Sequence, residues 1–233
     1  MLLDIVEPKS LDDLRNIATL AEHMGLKYLL VETSKFEHEE QILRHLQNEF
    51  THLKMIPIIT VDPSQHMKKA FLQDMLGRKI IFMKTESREE FIRGIRIPNI
   101  SVMSISLEAF LRFFDTKLIH LLRQYHKFVE LRFGDFIFAS PRTRANYIRL
   151  FKQQTRLLNN QQLRLIISTR ATSMYELISP RLLRECLLML GLKDYIIKKI
   201  YKLTPKELIL TPLEVTIVKT GSWLENLVED AEA

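Results

Sequence analysis

A short polar loop near residue 170 carries the residue types best suited to binding a phosphate polymer. An apolar run ends just before this loop, and a Ser-Pro pair opens a helix just after it; together they contribute Ser168, Arg170, Ser173, Arg181 and Arg184. In an α/β protein, the loop between a strand and the next helix is where ligands bind. Because the loop contains no His, Cys or Asp, it suits a polyanion better than a metal ion or a covalent intermediate.

Further basic residues precede this loop in the chain. Arginine makes bidentate hydrogen bonds to phosphate, and helix starts at Ser140-Pro141 and Ser179-Pro180 add backbone N–H donors. Few acids are close by in the sequence to pair with these cations. We therefore predict a phosphate-binding surface formed by Arg132, Arg142, Arg144, Lys152, Ser168, Arg170, Ser173, Arg181 and Arg184, with Arg149 and Arg156 on the same basic helix.

The positive charge of the chain is confined to one third of it. Residues 1–126 hold 17 basic and 17 acidic side chains, residues 127–207 hold 16 and 6, and residues 208–233 hold 1 and 5. The total is +6. Such an uneven distribution indicates a basic face, which is typical of nucleic-acid-binding proteins.

Composition excludes several classes of protein. Apolar residues make up 46% of the 233 residues, which excludes general disorder. The apolar runs are all much shorter than the roughly 20 residues of a membrane span, and the start MLLDIVEPKS lacks the basic region of a secretory signal. A single cysteine, Cys186, fits a reducing compartment, so we expect a cytoplasmic protein without a membrane partner.

Strand-like and helix-like segments alternate along the chain. The predicted strands are Leu2–Val6, Tyr28–Val31, Met55–Val61, Lys79–Met83, Ile100–Ser104, Phe128–Phe133 and Leu163–Ser168. The predicted helices are Leu11–Met24, Glu37–Phe50, Ser64–Leu76, Arg88–Ile95, Leu107–Tyr125, Thr143–Leu158 and Arg181–Leu190. N-caps are predicted at Ser10, Ser87, Ser140, Ser179 and Thr204.

About seven strand–helix units in a row predict a parallel sheet. We favour closure into a single TIM-like (β/α) barrel over an open doubly wound sheet, because closure removes both edges and no Gly-x-Gly-x-x-Gly follows the first strand. The barrel domain is predicted to span residues 1–219, followed by an acidic, flexible tail over residues 220–233.

Residues that could perform catalysis are few. No Cys-x-x-Cys, His-x-His, Gly-x-Ser-x-Gly or phosphate-binding glycine loop occurs. Asp4 in the first strand, Glu130 in the sixth and Asp135 just after it are isolated carboxylates. A barrel can use such groups in catalysis, but we expect them to pair with nearby arginines such as Arg132. Phe136 and Phe138 are expected in the core, with base stacking or partner binding as the alternative if they are exposed.

The segment Phe128–Leu192 resembles the TIM-barrel-like protein subunit of archaeal and eukaryotic ribonuclease P, the thirty-kilodalton subunit family. The matching motifs, in order, are Val129-Glu130-Leu131, the basic helix Arg144–Leu158, Ile167-Ser168, Ala171, Ser173, Glu176-Leu177, Ser179-Pro180 and Leu190-Gly191-Leu192. At Arg170 the chain departs from the family, which often has a small or acidic residue there. The family's barrel is related to metal-dependent phosphoesterase barrels.

The resemblance implies a non-catalytic subunit of the ribonucleoprotein that removes the 5′ leader from precursor tRNA. The RNA would carry the chemistry with Mg²⁺ that it holds itself, and this chain would bind no cofactor. The phosphate-binding residues above would then bind RNA. The implied partners are the ribonuclease P RNA, a small ribonuclease P protein partner subunit, other ribonuclease P proteins and, indirectly, precursor tRNA.

Two rival functions remain open from the sequence. One is a metal-dependent phosphoesterase that uses Asp4, Glu130, Asp135 and a distant histidine around a divalent ion. The other is a protein–protein adaptor without RNA affinity.

Overall fold

The computed structural model describes residues 3–34, 36, 39–63, 80–159 and 163–209. The predicted helix Ser64–Leu76 and the predicted tail 220–233 lie outside these described residues. Among the residues described, no helix has the length and apolar character needed to cross a bilayer.

Seven parallel strands form one sheet in chain order and curve into a nearly closed barrel. The strands are β1 (Leu3–Val6), β2 (Tyr28–Glu32), β3 (Lys54–Val61), β4 (Ile80–Thr85), β5 (Val102–Ser106), β6 (Phe128–Arg132) and β7 (Leu165–Ser168). A parallel bridge between Val6 and Ala171 joins the first strand to the end of the last, and the Glu7 N–H donates to the Ala171 carbonyl at 2.9 Å. The predicted TIM-like barrel and all seven of its strands are confirmed.

Helices follow the strands and cover the outside of the barrel. They are α1 (Leu11–His23), α2 (Glu39–Glu49), α3 (Arg88–Ile95), α4 (Leu107–Phe113), α5 (Thr116–Gln124), α6 (Gly134–Ile137), α7 (Pro141–Leu158), α8 (Pro180–Met189) and α9 (Asp194–Lys198). A 3₁₀ turn spans Met174–Glu176, a π-helical turn spans Lys199–Leu203, and residues 204–209 are helical.

The single helix predicted over Leu107–Tyr125 is wrong, because the chain forms two helices there. The break falls at Phe114, which is extended, and Asp115 caps the second helix by accepting a hydrogen bond from the Leu118 N–H at 2.9 Å. An Asp side chain that satisfies a free N–H favours a new helix start over continuation of the old one.

The predicted N-caps at Ser10, Ser87, Ser140 and Ser179 are confirmed, since each hydroxyl accepts from the backbone N–H three residues later. The predicted cap at Thr204 is wrong. Thr204 has helical backbone angles and continues the π-helical turn, and its buried Oγ1 has no hydrogen-bond partner among the described residues.

Apolar side chains fill both faces of the barrel wall. Inward-facing residues such as Ile5, Leu30, Ile58 and Phe82 form the interior cluster, which Leu208 and Ile209 join from the terminal helical segment. Two larger clusters lie between the strands and the outer helices. Because side chains alternate along a strand, the same inward positions continue at the carboxyl ends of the strands, where they become polar.

Candidate functional site

Charged side chains line the carboxyl-terminal mouth of the barrel. Arg170, two residues after the end of β7, lies at its centre with a side chain only 6% exposed. Its Nε and Nη2 donate to the two carboxylate oxygens of Glu130, each at 2.6 Å. Its Nη1 donates to Glu7 Oε1 and to Thr60 Oγ1, each at 3.0 Å. The guanidinium therefore links β6, β3 and the residue after β1.

The fold holds Arg170 in place through its backbone as well as its side chain. Its φ angle is +51°, in the left-handed region that non-glycine residues seldom adopt, and its guanidinium carbon lies 5.1 Å from the centre of the Phe82 ring. Burial lowers the pKa of Arg170, but the carboxylates of Glu130 and Glu7 outweigh burial and raise it. The group is a permanent internal cation.

Glu130 is the buried anion of this pair. Burial raises its pKa, but the charge and hydrogen bonds of Arg170 and a hydrogen bond from Ser168 Oγ at 2.5 Å together lower it below its usual value. Ser168 itself is fully buried. The prediction that Ser168 and Arg170 present themselves to a phosphate polymer is therefore corrected, because both side chains are inside the barrel and bonded to Glu130.

A second buried carboxylate, Asp4, joins the first strand to the last. Its Oδ1 accepts from the Thr169 N–H at 2.8 Å and from the Ile5 N–H at 2.7 Å, and its Oδ2 accepts from Thr169 Oγ1 at 2.7 Å. Burial raises the pKa of Asp4 to about 6, although the bonds from Thr169 lower it. Asp4 lies where the first and last strands of the barrel meet, and both of its carboxylate oxygens already accept hydrogen bonds from protein groups.

We expect Asp4→Asn to change the pH dependence of stability. The native carboxyl has a pKa of about 6, above its usual value, so the native state binds more protons than the unfolded state between about pH 4 and 6 and loses stability as the pH rises. Relative to the variant, the wild-type free energy of unfolding should fall by about 2 kcal/mol from pH 4.5 to 7.5. Urea unfolding of both proteins at these pH values measures this, and a difference that does not vary with pH would contradict it.

Other predicted phosphate-binding arginines have protein partners. Arg132 Nη2 pairs with Glu86, which also accepts from Ser106 Oγ. Arg184 pairs with Glu185 and Asp194, each at 2.8 Å. The expectation that few acids lie near these cations is wrong for Arg132 and Arg170, because the fold brings to them acids that are distant in sequence. It is also wrong for Arg184, whose partners are the adjacent Glu185 and, ten residues later, Asp194. Glu130 pairs with an arginine, as expected, but the arginine is Arg170 and not Arg132.

Arg144 has a structural role at the junction of two helices. Its Nη2 donates to the carbonyls of Ile137 at 2.6 Å and Ala139 at 3.1 Å, and its Nε donates to the carbonyl of Phe136 at 3.3 Å. These carbonyls end α6, where no further helical N–H is available. Its guanidinium therefore orders the approach to α7.

Helix α7 presents the remaining cations to solvent. Its exposed basic residues, called the α7 stripe, are Arg142, Arg149, Lys152 and Arg156. Their spacings of seven, three and four residues place them along one face of a helix. Among the described residues no acid pairs with any of the four, and the only hydrogen bond from their side chains joins Arg149 to Asn146 at 3.1 Å.

The two other predicted residues lie on the next unit of the barrel. Arg181 is exposed in the first turn of α8, and Ser173 is half-buried at the start of the 3₁₀ turn, where its side chain caps nothing. Helix α8 lies beside α7, because Thr155 Oγ1 and Asn159 Nδ2 donate to the carbonyls of Leu190 and Gly191 at 3.5 and 3.2 Å. These contacts place the C-terminal ends of α7 and α8 side by side.

The carboxylates proposed for a phosphoesterase do not form a metal centre. Asp4 is bonded to Thr169, Glu130 to Arg170, and Asp135 accepts from the Leu107 N–H at 3.3 Å. Within the described ranges, no group of three or more His, Cys, Asp or Glu side chains could hold a metal ion. The donor set therefore does not favour the phosphoesterase alternative.

Comparison with known proteins identifies the family. The family model "RNase P subunit p30" matches residues 1–212. The chain belongs to the RNase P subunit p30 family. A chain in the cryo-EM structure of archaeal Ribonuclease P with mature tRNA has the same fold, with a TM-score of 0.69, 15% sequence identity, and coverage of 95% of this chain and 94% of that one. No curated protein sequence matches this chain. Membership of the family establishes the role of an RNase P protein subunit.

Proposed function

We propose that this RNase P subunit is a non-catalytic scaffold that binds and stabilises the catalytic RNA for removal of the 5′ leader from precursor tRNA in the cytoplasm. The observation that carries the proposal is the α7 stripe, four exposed cations on one helix face without acidic partners among the described residues. Divalent metal ions for the chemistry would be Mg²⁺ held by the RNA, because the buried carboxylates of Asp4 and Glu130 are engaged with protein groups.

The stripe has dimensions that suit a nucleic-acid backbone. Arg142 and Arg156 are separated by about 21 Å along the helix axis, at 1.5 Å per residue, which is long enough to follow several successive phosphates. The sequence Pro141–Leu158 contains no Asp or Glu, so nothing on the helix offsets the positive field. The proposed RNA surface comprises Arg142, Arg149, Lys152, Arg156 and Arg181.

The predicted phosphate-binding arginines that are buried support this surface without contacting RNA. Arg132 and Arg170 hold the strand ends together by ion pairs, and Arg144 orders the residues that precede α7. A rigid support keeps the exposed cations in register, which lowers the entropy cost of binding a polymer. Arg184, half-exposed and paired with Asp194, is available to phosphates only if that pair opens.

We assign the small ribonuclease P protein partner subunit to the exposed face of α8. Leu182 and Met189 are 56% and 59% exposed, and their spacing of seven residues places both on one face of the helix. The neighbouring Tyr175 is also exposed. Exposed apolar residues that line up along one helix are typical of helix-in-groove contacts with a protein.

Reconstitution tests the proposed function. The RNase P RNA and the other protein subunits are combined with or without this chain, and the rate of precursor-tRNA cleavage is measured at a fixed Mg²⁺ concentration. We expect the chain to raise the rate, and to show no cleavage when it is incubated with substrate in the absence of the RNA. Unchanged cleavage on adding the chain would contradict the scaffold role, and RNA-free cleavage would support an enzyme.

A further inference from the structure

A cavity of about 680 Å³ opens at the barrel mouth beside the start of α7. Its wall includes aromatic, cationic and anionic side chains from β4, β6, α4 and α7. The cavity is separate from the α7 stripe, which lies on the outer surface of the same helix. The mixed lining offers contacts to a component of RNA other than the phosphates.

Two aromatic rings line the cavity. Phe138 is 55% exposed, although Phe136 two residues earlier is buried in the core. Tyr147 comes from the second turn of α7. These two rings offer stacking surface beside a polar cavity, and unpaired bases stack on such rings in single-stranded RNA recognition.

The polar lining offers both hydrogen-bond donors and acceptors. The Arg132 side chain is 10% exposed, and its Nε is buried without an acceptor among the described residues, although its Nη2 pairs with Glu86. Glu108 and Asp135 also line the cavity, and neither has a cation within ion-pair distance in the described part of the chain. A buried donor without a partner lowers stability unless a ligand or water completes its bonding.

This combination matches one nucleobase better than the others. Guanine carries the acceptors O6 and N7 on one edge and N–H donors on another. An arginine N–H can donate to O6 or N7, and carboxylates can accept from the N1 and N2 hydrogens. The cavity is lined by four carboxylates, Glu7, Glu86, Glu108 and Asp135, and by three cations, Lys84, Arg132 and Arg170. A phosphate group is disfavoured inside, because Arg132 and Arg170 are already ion-paired with protein carboxylates.

We propose that the barrel mouth binds one unpaired guanine nucleotide of the RNA, with the base stacked on Phe138, its acceptor edge toward Arg132 and its donor edge toward Glu108 and Asp135. The flanking phosphates stay outside, at the N-terminus of α7 and the exposed side chain of Arg142. This inference rests on the proposed RNA-binding function. It adds the binding of an uncharged base to the binding of phosphates.

The test compares two fluorescein-labelled RNA nonamers, all-uridine and one with a central guanosine, by fluorescence anisotropy on the whole chain. We expect the guanosine-containing strand to bind more tightly to the wild type. Phe138→Ala should weaken its binding by about 5- to 100-fold and abolish the preference for guanosine. Glu108→Gln should weaken the preference for the guanosine-containing strand, because it removes an acceptor for the guanine N1 and N2 hydrogens.

A matched control is Tyr175→Ala, which removes another exposed aromatic ring outside the cavity and should leave both affinities unchanged. Because Phe138 carries no charge, its replacement should not alter the salt dependence of binding. Equal affinity for the two RNAs, or an unchanged preference in Phe138→Ala, overturns the guanine pocket even if the chain binds RNA through the α7 stripe. Loss of all RNA binding at low salt in the wild type instead contradicts the proposed function itself.

Discussion

Replacing Arg170 by Met is expected to lower the free energy of unfolding by about 3–5 kcal/mol. The substitution keeps much of the side-chain volume but removes the cation that neutralises Glu130, whose carboxylate is fully buried and receives two hydrogen bonds of 2.6 Å from the guanidinium. A buried carboxylate left without a partner either stays charged at high cost or takes up a proton, and both outcomes destabilise the native state at neutral pH. Urea unfolding monitored by circular dichroism measures the loss.

Two further variants separate the ion pair from side-chain volume. Arg142→Met makes the same substitution on the exposed face of α7 and should change stability by no more than about 0.5 kcal/mol. The double variant Arg170→Met/Glu130→Gln should recover part of the loss, because it removes the uncompensated charge. A loss below about 1 kcal/mol in Arg170→Met would show that Arg170 does not hold the barrel mouth together.

The barrel was predictable because the patterns that indicate its strands and helix starts each lie within a few consecutive residues. The buried strands are short apolar runs, such as Ile56–Val61, and recognisable serine caps open α1, α3, α7 and α8. Parallel strands joined by helices leave few topologies, so strand order followed from chain order. The error at Phe114 has the same origin, because a competing Asp cap interrupts an otherwise continuous apolar pattern.

The contacts of the charged residues were not predictable in the same way. Arg170 is 40 residues from Glu130 and 163 residues from Glu7 in sequence. Pairing of β6 with β7 brings Glu130 to it, and barrel closure brings Glu7 to it. A cation in a basic segment therefore resembles a surface cation until the fold is known. The alternation of inward and outward side chains along a strand was the signal that could have predicted their burial. Counting every second residue from Phe128 places Glu130 and Arg132 inside the barrel.

The difference between Phe136 and Phe138 shows a second limit. Both follow Gly134 within four residues, but Phe136 packs on Phe133 with ring centres 5.0 Å apart, and Phe138 ends the short helix α6 at the edge of the cavity. Which aromatic ring enters the core depends on the length of that helix. Gly134 fixes its start, because a side chain there would meet the backbone carbonyl of Thr169.

Removing the α7 stripe should abolish most RNA binding. In the variant Arg142→Gln/Arg149→Gln/Lys152→Gln/Arg156→Gln, four cations that lack acidic partners among the described residues are lost. Each phosphate contact contributes a slope of about −0.7 for single strands or −0.9 for duplex in a plot of log affinity against log salt. The slope should therefore become shallower by about 3–4, which corresponds to a loss of about 10²- to 10³-fold in affinity at 0.15 M salt. Filter binding of RNase P RNA between 0.05 and 0.5 M salt measures both quantities.

The matched control neutralises four exposed cations elsewhere on the barrel, Lys27, Arg93, Arg96 and Lys117. Both variants have the same net charge, so a non-specific field effect would weaken RNA binding equally in the two. Localised binding by the α7 stripe predicts that the control keeps the wild-type slope. Arg170→Met should also keep that slope, since its guanidinium is paired inside the barrel and releases no counterions when RNA binds. Equal slopes in the stripe variant and the wild type would place the RNA on another face of the barrel.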